Sequence, residues 1–100
     1  MQLVWTSGAR EDLRELVLYI AQDDPSAARR MAARLKGATR LIQEHPEAGR
    51  MVPEFSEPRL RERIVPPYRL VYRLDREAAV VLAVVHSRRR MPAVEAGPKD

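Results

Sequence analysis

Apolar residues alternate with polar ones at the start of the chain and then recur at helical spacing. Leu3 and Trp5 point to one side of the segment Gln2–Thr6, which predicts a short strand. Thr6 or Ser7 can then cap a helix, because either hydroxyl can accept a free N–H group of its first turn. The apolar positions of this predicted helix step by three and four, so one stripe faces a core. They are Ala9, Leu13, Leu16, Val17 and Ile20.

A second helix is predicted between two prolines. Pro25 fits the first helical position with Asp24 as its cap, and Pro46 ends the helix just after His45. Gly37 lies inside it and costs about 1 kcal/mol relative to alanine, unless close approach of the first helix compensates. The apolar positions again step by three and four, as in the seam of an antiparallel helical hairpin. They are Ala28, Met31, Leu35, Ala38 and Ile42.

The second half of the chain has the pattern of β-strands. Residues 61–65, 68–74 and 78–85 predict three strands, of which the last is apolar enough to be a central strand covered on both faces. Residues 47–58 predict a loop, and residues 91–100 predict a flexible C-terminal tail. The second of these three strands alternates strictly. Its core side consists of Tyr68, Leu70, Tyr72 and Leu74.

These elements predict an α+β domain with the order β-α-α-β-β-β. A helical hairpin packed on one face of a small, mainly antiparallel sheet would bury both sets of apolar residues. At 100 residues the chain is expected to form a single domain over residues 1–90.

Positive charge is concentrated in the predicted sheet half. The formal net charge is +4, whereas the segment from Arg59 to Arg90 contains 9 basic and 3 acidic residues and carries a net +6. Such a region favours a nucleic acid, a ribosome or an acidic protein segment as partner. The alternative is a solvated surface that only maintains solubility.

Composition excludes several kinds of chemistry. The chain has no cysteine, so disulfides, thiolate zinc sites and cysteine nucleophiles are absent. Its two histidines cannot build an ordinary metal site, and the sequence contains no phosphate loop, dinucleotide glycine motif or serine elbow. No leader or membrane-length apolar run is present, and we therefore expect a cytoplasmic protein without cofactor or membrane contact.

Four arginines on the predicted strands are candidates for binding an anionic target. Arg69 and Arg73 lie on the strand face opposite the tyrosines and are expected to point outward if the helices cover the tyrosine side. Arg61 and Arg63 share a face with each other. They join Arg69 if the intervening turn has an odd number of residues and are separated from it if the number is even. A shared face would suit phosphate or carboxylate groups, whereas scattered charges would only deter aggregation at the sheet edge.

Basic residues continue after the last predicted strand. His86 could serve as a general acid or base, although a single histidine without a neighbouring carboxylate is more often structural. Three further candidates for target binding follow it in the chain. They are Arg88, Arg89 and Arg90.

Four segments, in order, resemble one known family. They are "AREDLRELVLYIAQDDPSAARR", "HPEAGR", "PYRLVYRL" and "VVLAVVHSRRRMP". Each is weak alone, but their order and spacing over about residues 1–90 resemble the RelE/ParE toxins of type II toxin–antitoxin systems. The resemblance implies the fold derived above and a cognate antitoxin, encoded by a neighbouring gene, that forms a hetero-oligomer with the toxin.

The family that the sequence resembles has two mechanisms. RelE-like members cut messenger RNA in the ribosomal A site, whereas ParE-like members bind and poison DNA gyrase without being nucleases. Arg69 in "YRLVY" matches an arginine of the nuclease branch, and Arg61 and Arg63 stand where that branch places lysines. These three residues would contact phosphates in a nuclease, with His86 and Arg88 as further candidates.

The C-terminal end of the sequence favours the ParE-like branch. The nuclease branch commonly has a tyrosine or a histidine–tyrosine pair near the C-terminus, whereas this sequence has Ser87 and arginines after His86 and no tyrosine after Tyr72. The ending "VVHSRRRMP" looks more like ParE-type members. We therefore expect a toxin that inhibits DNA gyrase and is not an enzyme. The alternative is a metal-independent, ribosome-dependent mRNA endoribonuclease.

Overall fold

The computed structural model describes residues 1–94 and contains two helices and five strands in that range. In chain order they are β1 (Gln2–Trp5), α1 (Ser7–Ala21), α2 (Pro25–Glu44), β2 (Arg50–Met51), β3 (Leu60–Val65), β4 (Tyr68–Leu74) and β5 (Ala78–His86). This order confirms the predicted α+β fold. The predicted loop before β3 contains one additional element, the two-residue strand β2.

The strands form one mixed sheet in the order β1-β5-β4-β3-β2. β1 runs parallel to β5, and the other three pairings are antiparallel. Between β4 and β5 the register shifts, because Val71 lies opposite Ala83 while Tyr72 lies opposite Val81. Leu82 is therefore the extra residue of a β-bulge, which reverses the side-chain alternation in the last part of β5.

Both helices begin where the sequence predicts. The Thr6 hydroxyl accepts a hydrogen bond from the Ala9 N–H group at 3.0 Å, and the Asp24 carboxylate accepts from Ser26 and Ala27 at 3.1 Å each. The capped helices pack side by side and cover one face of the sheet, called here the helix face. All five apolar positions predicted for α2 are buried, and all but Ala28 belong to the core on this face, as do Tyr68, Leu70 and Tyr72 of β4.

The opposite face of the sheet carries a second apolar cluster, and this face is called the loop face. Val52, Leu60, Val71, Ala83 and Val85 are its buried members. Phe55, Leu82, Met91 and Val94 pack against them from the loop, the bulge and the C-terminal segment. β4 and β5 are thus covered on both sides, as predicted for β5. Residues 95–100 of the predicted tail lie outside the described residues.

Gly37 does not pack closely against α1, which is the contact that could have offset the loss of helix stability caused by a glycine. A side chain added at Gly37 would meet no atom within 4 Å, so close packing against α1 does not explain the glycine.

Within residues 1–94, no helix is long and apolar enough to cross a membrane.

Candidate functional site

The two-residue turn between β3 and β4 separates the four predicted arginines. Arg63 lies opposite Leu70 and Arg61 opposite Tyr72, so both are on the helix face. Arg69 lies opposite Ile64, and Arg73 opposite Leu60, on the loop face. The four guanidinium groups therefore do not form one patch, because a turn with an even number of residues places them on opposite faces.

Arg69 is buried in a cluster of four charged residues, called here the Arg69 cluster: Arg50, Glu54, Glu62 and Arg69. Its Nε donates a hydrogen bond to Oε1 of Glu62 at 2.6 Å, while Nη1 and Nη2 donate to the two carboxylate oxygens of Glu54 at 2.7 and 2.6 Å. Only 10% of the Arg69 side chain is exposed. The expectation that Arg69 points freely outward is therefore wrong, because its guanidinium group is already paired within the protein.

Glu62 holds two arginines at once. Its side chain is fully buried, and its second oxygen, Oε2, accepts a hydrogen bond from Nε of Arg50 at 2.7 Å. Both oxygens of a buried carboxylate are thus satisfied by charged donors, which is the condition under which burial of such a group is tolerated. β2 carries Arg50 directly opposite Glu62, so the short edge strand positions this second guanidinium group.

The cluster strongly favours an anion at the position of the Glu54 carboxylate. The Arg69 hydrogen bonds lower the pKa of Glu54 from 4.5 to about 2, outweighing the opposing effect of desolvation. The same pairing raises the pKa of Arg69, first through Glu54 and then through Glu62. Geometry and charge together therefore hold the Glu54 carboxylate in its ionised form against Arg69.

Two of the other predicted strand arginines, Arg61 and Arg73, also have partners within the protein. Arg73 pairs with Asp75 through Nε and Nη2, at 2.8 and 2.9 Å, and this contact lowers the pKa of Asp75. Arg61 donates to the carbonyl oxygens of Pro58 and Gly49 at 2.9 and 3.0 Å. Arg73 thus stabilises the turn after β4, and Arg61 stabilises the loop that precedes β3. Both contacts are structural.

His86 lies on the helix face because the bulge at Leu82 reverses the alternation of β5. Its ring stands edge-on to Tyr68, with the ring centres 5.4 Å apart and the planes at 81°. Nδ1 of His86 accepts a hydrogen bond from the Arg88 N–H group at 3.1 Å, so a neutral ring carries its proton on Nε2. Burial raises the pKa of Tyr68. The contact between Tyr68 and His86 was not predicted, because it depends on the pairing of β4 with β5 and on the bulge between them.

A cleft of about 670 Å³ opens beside this pair, between α1, the end of β5 and the C-terminal segment. Asp12 and Glu15 line its α1 side, and Arg89 and Arg90 line the other. Asp12 also accepts a hydrogen bond from the Val84 N–H group at 3.0 Å, beyond the point where β1 has ended. The cleft thus combines apolar, aromatic and oppositely charged groups, a lining suited to binding a protein segment.

Within the described residues, no group of three or more His, Asp or Glu side chains is arranged to hold a metal ion. Glu54 and Glu62 were not among the site residues expected from the sequence. Glu62 lies on the same strand face as Leu60 and Ile64, a pattern that does not distinguish it from a solvated residue. Glu54 belongs to a loop, and no periodicity indicates its contact with Arg69.

The comparisons with known proteins agree with this architecture. Residues 3–91 match the family model described as the ParE toxin of type II toxin-antitoxin system, parDE. The chain is 39% identical over 89 residues to a protein named toxin RelE2 from Caulobacter vibrioides, covering 88% of this chain and 97% of that one.

Two solved structures share the fold. The chromosomal ParDE TA system from P. aeruginosa superposes with a TM-score of 0.71 at 20% identity, covering 86% of this chain and 95% of that one. The YoeB/ParE toxin from Agrobacterium tumefaciens superposes with a TM-score of 0.61 at 22% identity, covering 86% and 98%.

Fold, size and sequence define a toxin component of a type II toxin–antitoxin module. More narrowly, the chain belongs to the ParE toxin family within the wider RelE/ParE group. Membership implies an antitoxin as a partner.

Proposed function

We propose that the protein is a ParE-like toxin that inhibits DNA gyrase by binding it, acts in the cytoplasm and is neutralised in a hetero-oligomer with its antitoxin. The observation that carries this proposal is the pairing of Arg69. All three guanidinium nitrogens donate hydrogen bonds to Glu54 or Glu62. A phosphate contact by Arg69 would require these bonds to be exchanged, which disfavours a nuclease that depends on this arginine.

The best candidate for the target-binding surface is the end of β5 and the cleft beside it. Arg88, Arg89 and Arg90 are exposed there, unlike Arg69 and Arg73. Exposed arginines around a partly apolar cleft suit an acidic protein surface, because their charge steers association and their side chains supply contact area. The role of these three residues in binding gyrase is part of the proposal.

A supercoiling assay with purified toxin and gyrase tests the proposal. Wild type should inhibit supercoiling, and replacing Arg88, Arg89 and Arg90 with glutamine should weaken inhibition at least about tenfold, since charged interface contacts commonly contribute that much. The matched control replaces Arg29, Arg34 and Arg40, which are exposed on α2, and should inhibit like wild type. Full gyrase activity at molar excess of wild-type toxin would contradict the proposal.

The second candidate function is a RelE-like, ribosome-dependent mRNA endoribonuclease. The contact between Tyr68 and His86 favours it, because a histidine near neutral pH beside a tyrosine and arginines can supply acid–base catalysis. In this case purified toxin would cut messenger RNA on ribosomes, and His86→Ala would abolish cutting. Uncut message with inhibited gyrase supports the first function, and the reverse result supports the second.

A further inference from the structure

The Arg69 cluster holds a binding position that the protein fills with its own side chain. Glu62, fully buried, binds Nε of both Arg69 and Arg50 and therefore fixes the two guanidinium groups independently of Glu54. Glu54 belongs to the loop between β2 and β3, and 42% of its side chain is exposed. Removal of the Glu54 carboxylate would leave a cluster with two positive charges and one negative charge, and Nη1 and Nη2 of Arg69 would lose the acceptors that they have in the folded protein.

We propose that Arg69 and Arg50 form a preorganised site for a phosphate group with three free oxygens, and that Glu54 closes this site from within. The inference is independent of gyrase as the target.

The arrangement of donors selects the ligand class. Nη1 and Nη2 of Arg69 form the planar pair of donors that binds carboxylate or phosphate oxygens side by side. The two oxygens of Glu54 are both used by Arg69, while Arg50 acts on Glu54 only through its charge. A terminal phosphate carries three acceptor oxygens, so it can take both Arg69 donors and offer a third oxygen to Arg50.

Arg50 is near enough to this position for its charge to help lower the pKa of Glu54. It lies opposite Glu62 on the edge strand, and 59% of its side chain is exposed, so a ligand can approach it from solvent. A phosphodiester has only two unbridged oxygens and gains less from the second arginine. Inorganic phosphate or a terminal phosphomonoester should therefore bind more tightly than the backbone of a nucleic acid.

Glu54→Ala opens the proposed site, and Glu47→Ala is the matched control. Glu47 is exposed, and its replacement removes the same charge outside the Arg69 cluster. Inorganic phosphate should raise the Tm of Glu54→Ala by several degrees and should raise that of Glu47→Ala and of wild type much less, at equal ionic strength. Chloride at the same ionic strength should not replace phosphate.

Two oligonucleotides of identical sequence, with and without a 5′-phosphate, distinguish the sources of the ligand. Glu54→Ala should bind the 5′-phosphorylated one at least about tenfold more tightly, the gain expected for charge-assisted hydrogen bonds. Adding Arg50→Ala should remove most of this preference, since that side chain supplies the third contact. Phosphate stabilisation without any 5′-phosphate preference would indicate free phosphate as the ligand.

Several results would overturn the inference. Equal phosphate effects on Glu54→Ala and Glu47→Ala would show that only net charge matters. Equal binding of both oligonucleotides, unaffected by Arg50→Ala and without a phosphate effect on Tm, would show a phosphodiester contact of another kind. If Glu54→Ala does not fold, Glu54→Gln preserves its shape and removes the charge, and the same phosphate and Arg50 comparisons apply to it.

Discussion

At the scale of single residues, the ionised carboxylate of Glu54 attaches the loop between β2 and β3 to Arg69 on the sheet. Its pKa falls from 4.5 to about 2 because the folded protein hydrogen-bonds its ionised form to Arg69. The ionised form therefore contributes stability above pH 4.5, and this contribution is lost as the pH falls towards 2. The carboxylate is 42% exposed, so solvent screening limits the contribution.

Glu54→Gln should lower the free energy of unfolding at pH 7 by about 1–2 kcal/mol, the range for a screened hydrogen bond to a charged group. Urea denaturation between pH 7 and pH 2 measures the difference from wild type. We expect this difference to stay constant above pH 5 and to shrink between pH 4.5 and pH 2. A difference that is unchanged at pH 2 would mean that the carboxylate is not the stabilising form.

Gly49 is required by close packing around the Tyr72 hydroxyl. This hydroxyl accepts a hydrogen bond from the Gly49 N–H group at 3.0 Å and donates one to the Pro46 carbonyl at 2.7 Å. A Cβ at Gly49 would overlap the Tyr72 hydroxyl and lie 2.7 Å from the Glu62 carbonyl oxygen. Because a backbone atom cannot move aside cheaply, Gly49→Ala should destabilise the protein by about 1–3 kcal/mol.

Thermal unfolding followed by circular dichroism measures this effect, and Gly8→Ala is the matched control. Its added methyl group would have its nearest neighbour, the Thr6 hydroxyl, at an ordinary 3.9 Å. A Gly49→Ala protein that unfolds at the temperature of wild type would show that the loop adjusts freely.

At the scale of elements, α2 contains an unused source of stability. Gly37 is exposed within the helix, and a methyl group there would contact nothing within 4 Å. Gly37→Ala should therefore raise the free energy of unfolding by about 0.5–1 kcal/mol, because alanine has less conformational freedom to lose on forming a helix. Urea denaturation measures the gain, and unchanged or reduced stability would reveal a contact that α2 makes through the glycine backbone.

The helices and strands were predictable where their signals are local. Capping by Thr6 and Asp24, the proline boundaries and the apolar periods depend on neighbouring residues, and these predictions are confirmed. Strand β2 was not predicted, because two residues carry no period. The bulge at Leu82 also has no signal within a continuous apolar run, yet it determines that His86 meets Tyr68 rather than the loop face.

The candidate site was less predictable because its contacts join distant parts of the chain. The sequence identified Arg69 as a residue that suits an anion, but the anion is Glu54, 15 residues earlier and on a loop. The turn at Pro66-Pro67 has an even number of residues, so Arg61 and Arg63 lie on the opposite face of the sheet from Arg69. The alternation of side chains along β3 and β4 determines which residues share a face of the sheet. The ion-pair partner of Arg69 depends instead on how the loop between β2 and β3 folds.

At the scale of the whole molecule, β4 joins two apolar cores that lie on opposite faces of one sheet. Leu70 is fully buried in the core under the helices, and Leu60 is 2% exposed in the core under the loop. If the cores unfold together, Leu70→Ala and Leu60→Ala should each lower the free energy of unfolding by about 2–5 kcal/mol, the usual cost of a cavity at such positions. Leu41→Ala, at a position that is 41% exposed, is the matched control and should cost under about 1 kcal/mol.

Trp5 fluorescence and far-ultraviolet circular dichroism distinguish cooperative unfolding from separate unfolding of the two cores. Trp5 packs against the core on the helix face, so its fluorescence reports that core, whereas circular dichroism reports the helices and the sheet together. Coincident transitions in both variants would establish one cooperative unit, because β4 and β5 cannot lose one face without exposing the other. A Leu60→Ala protein whose Trp5 transition stays at the wild-type position would contradict this, and the loop face would then unfold on its own, together with Glu54.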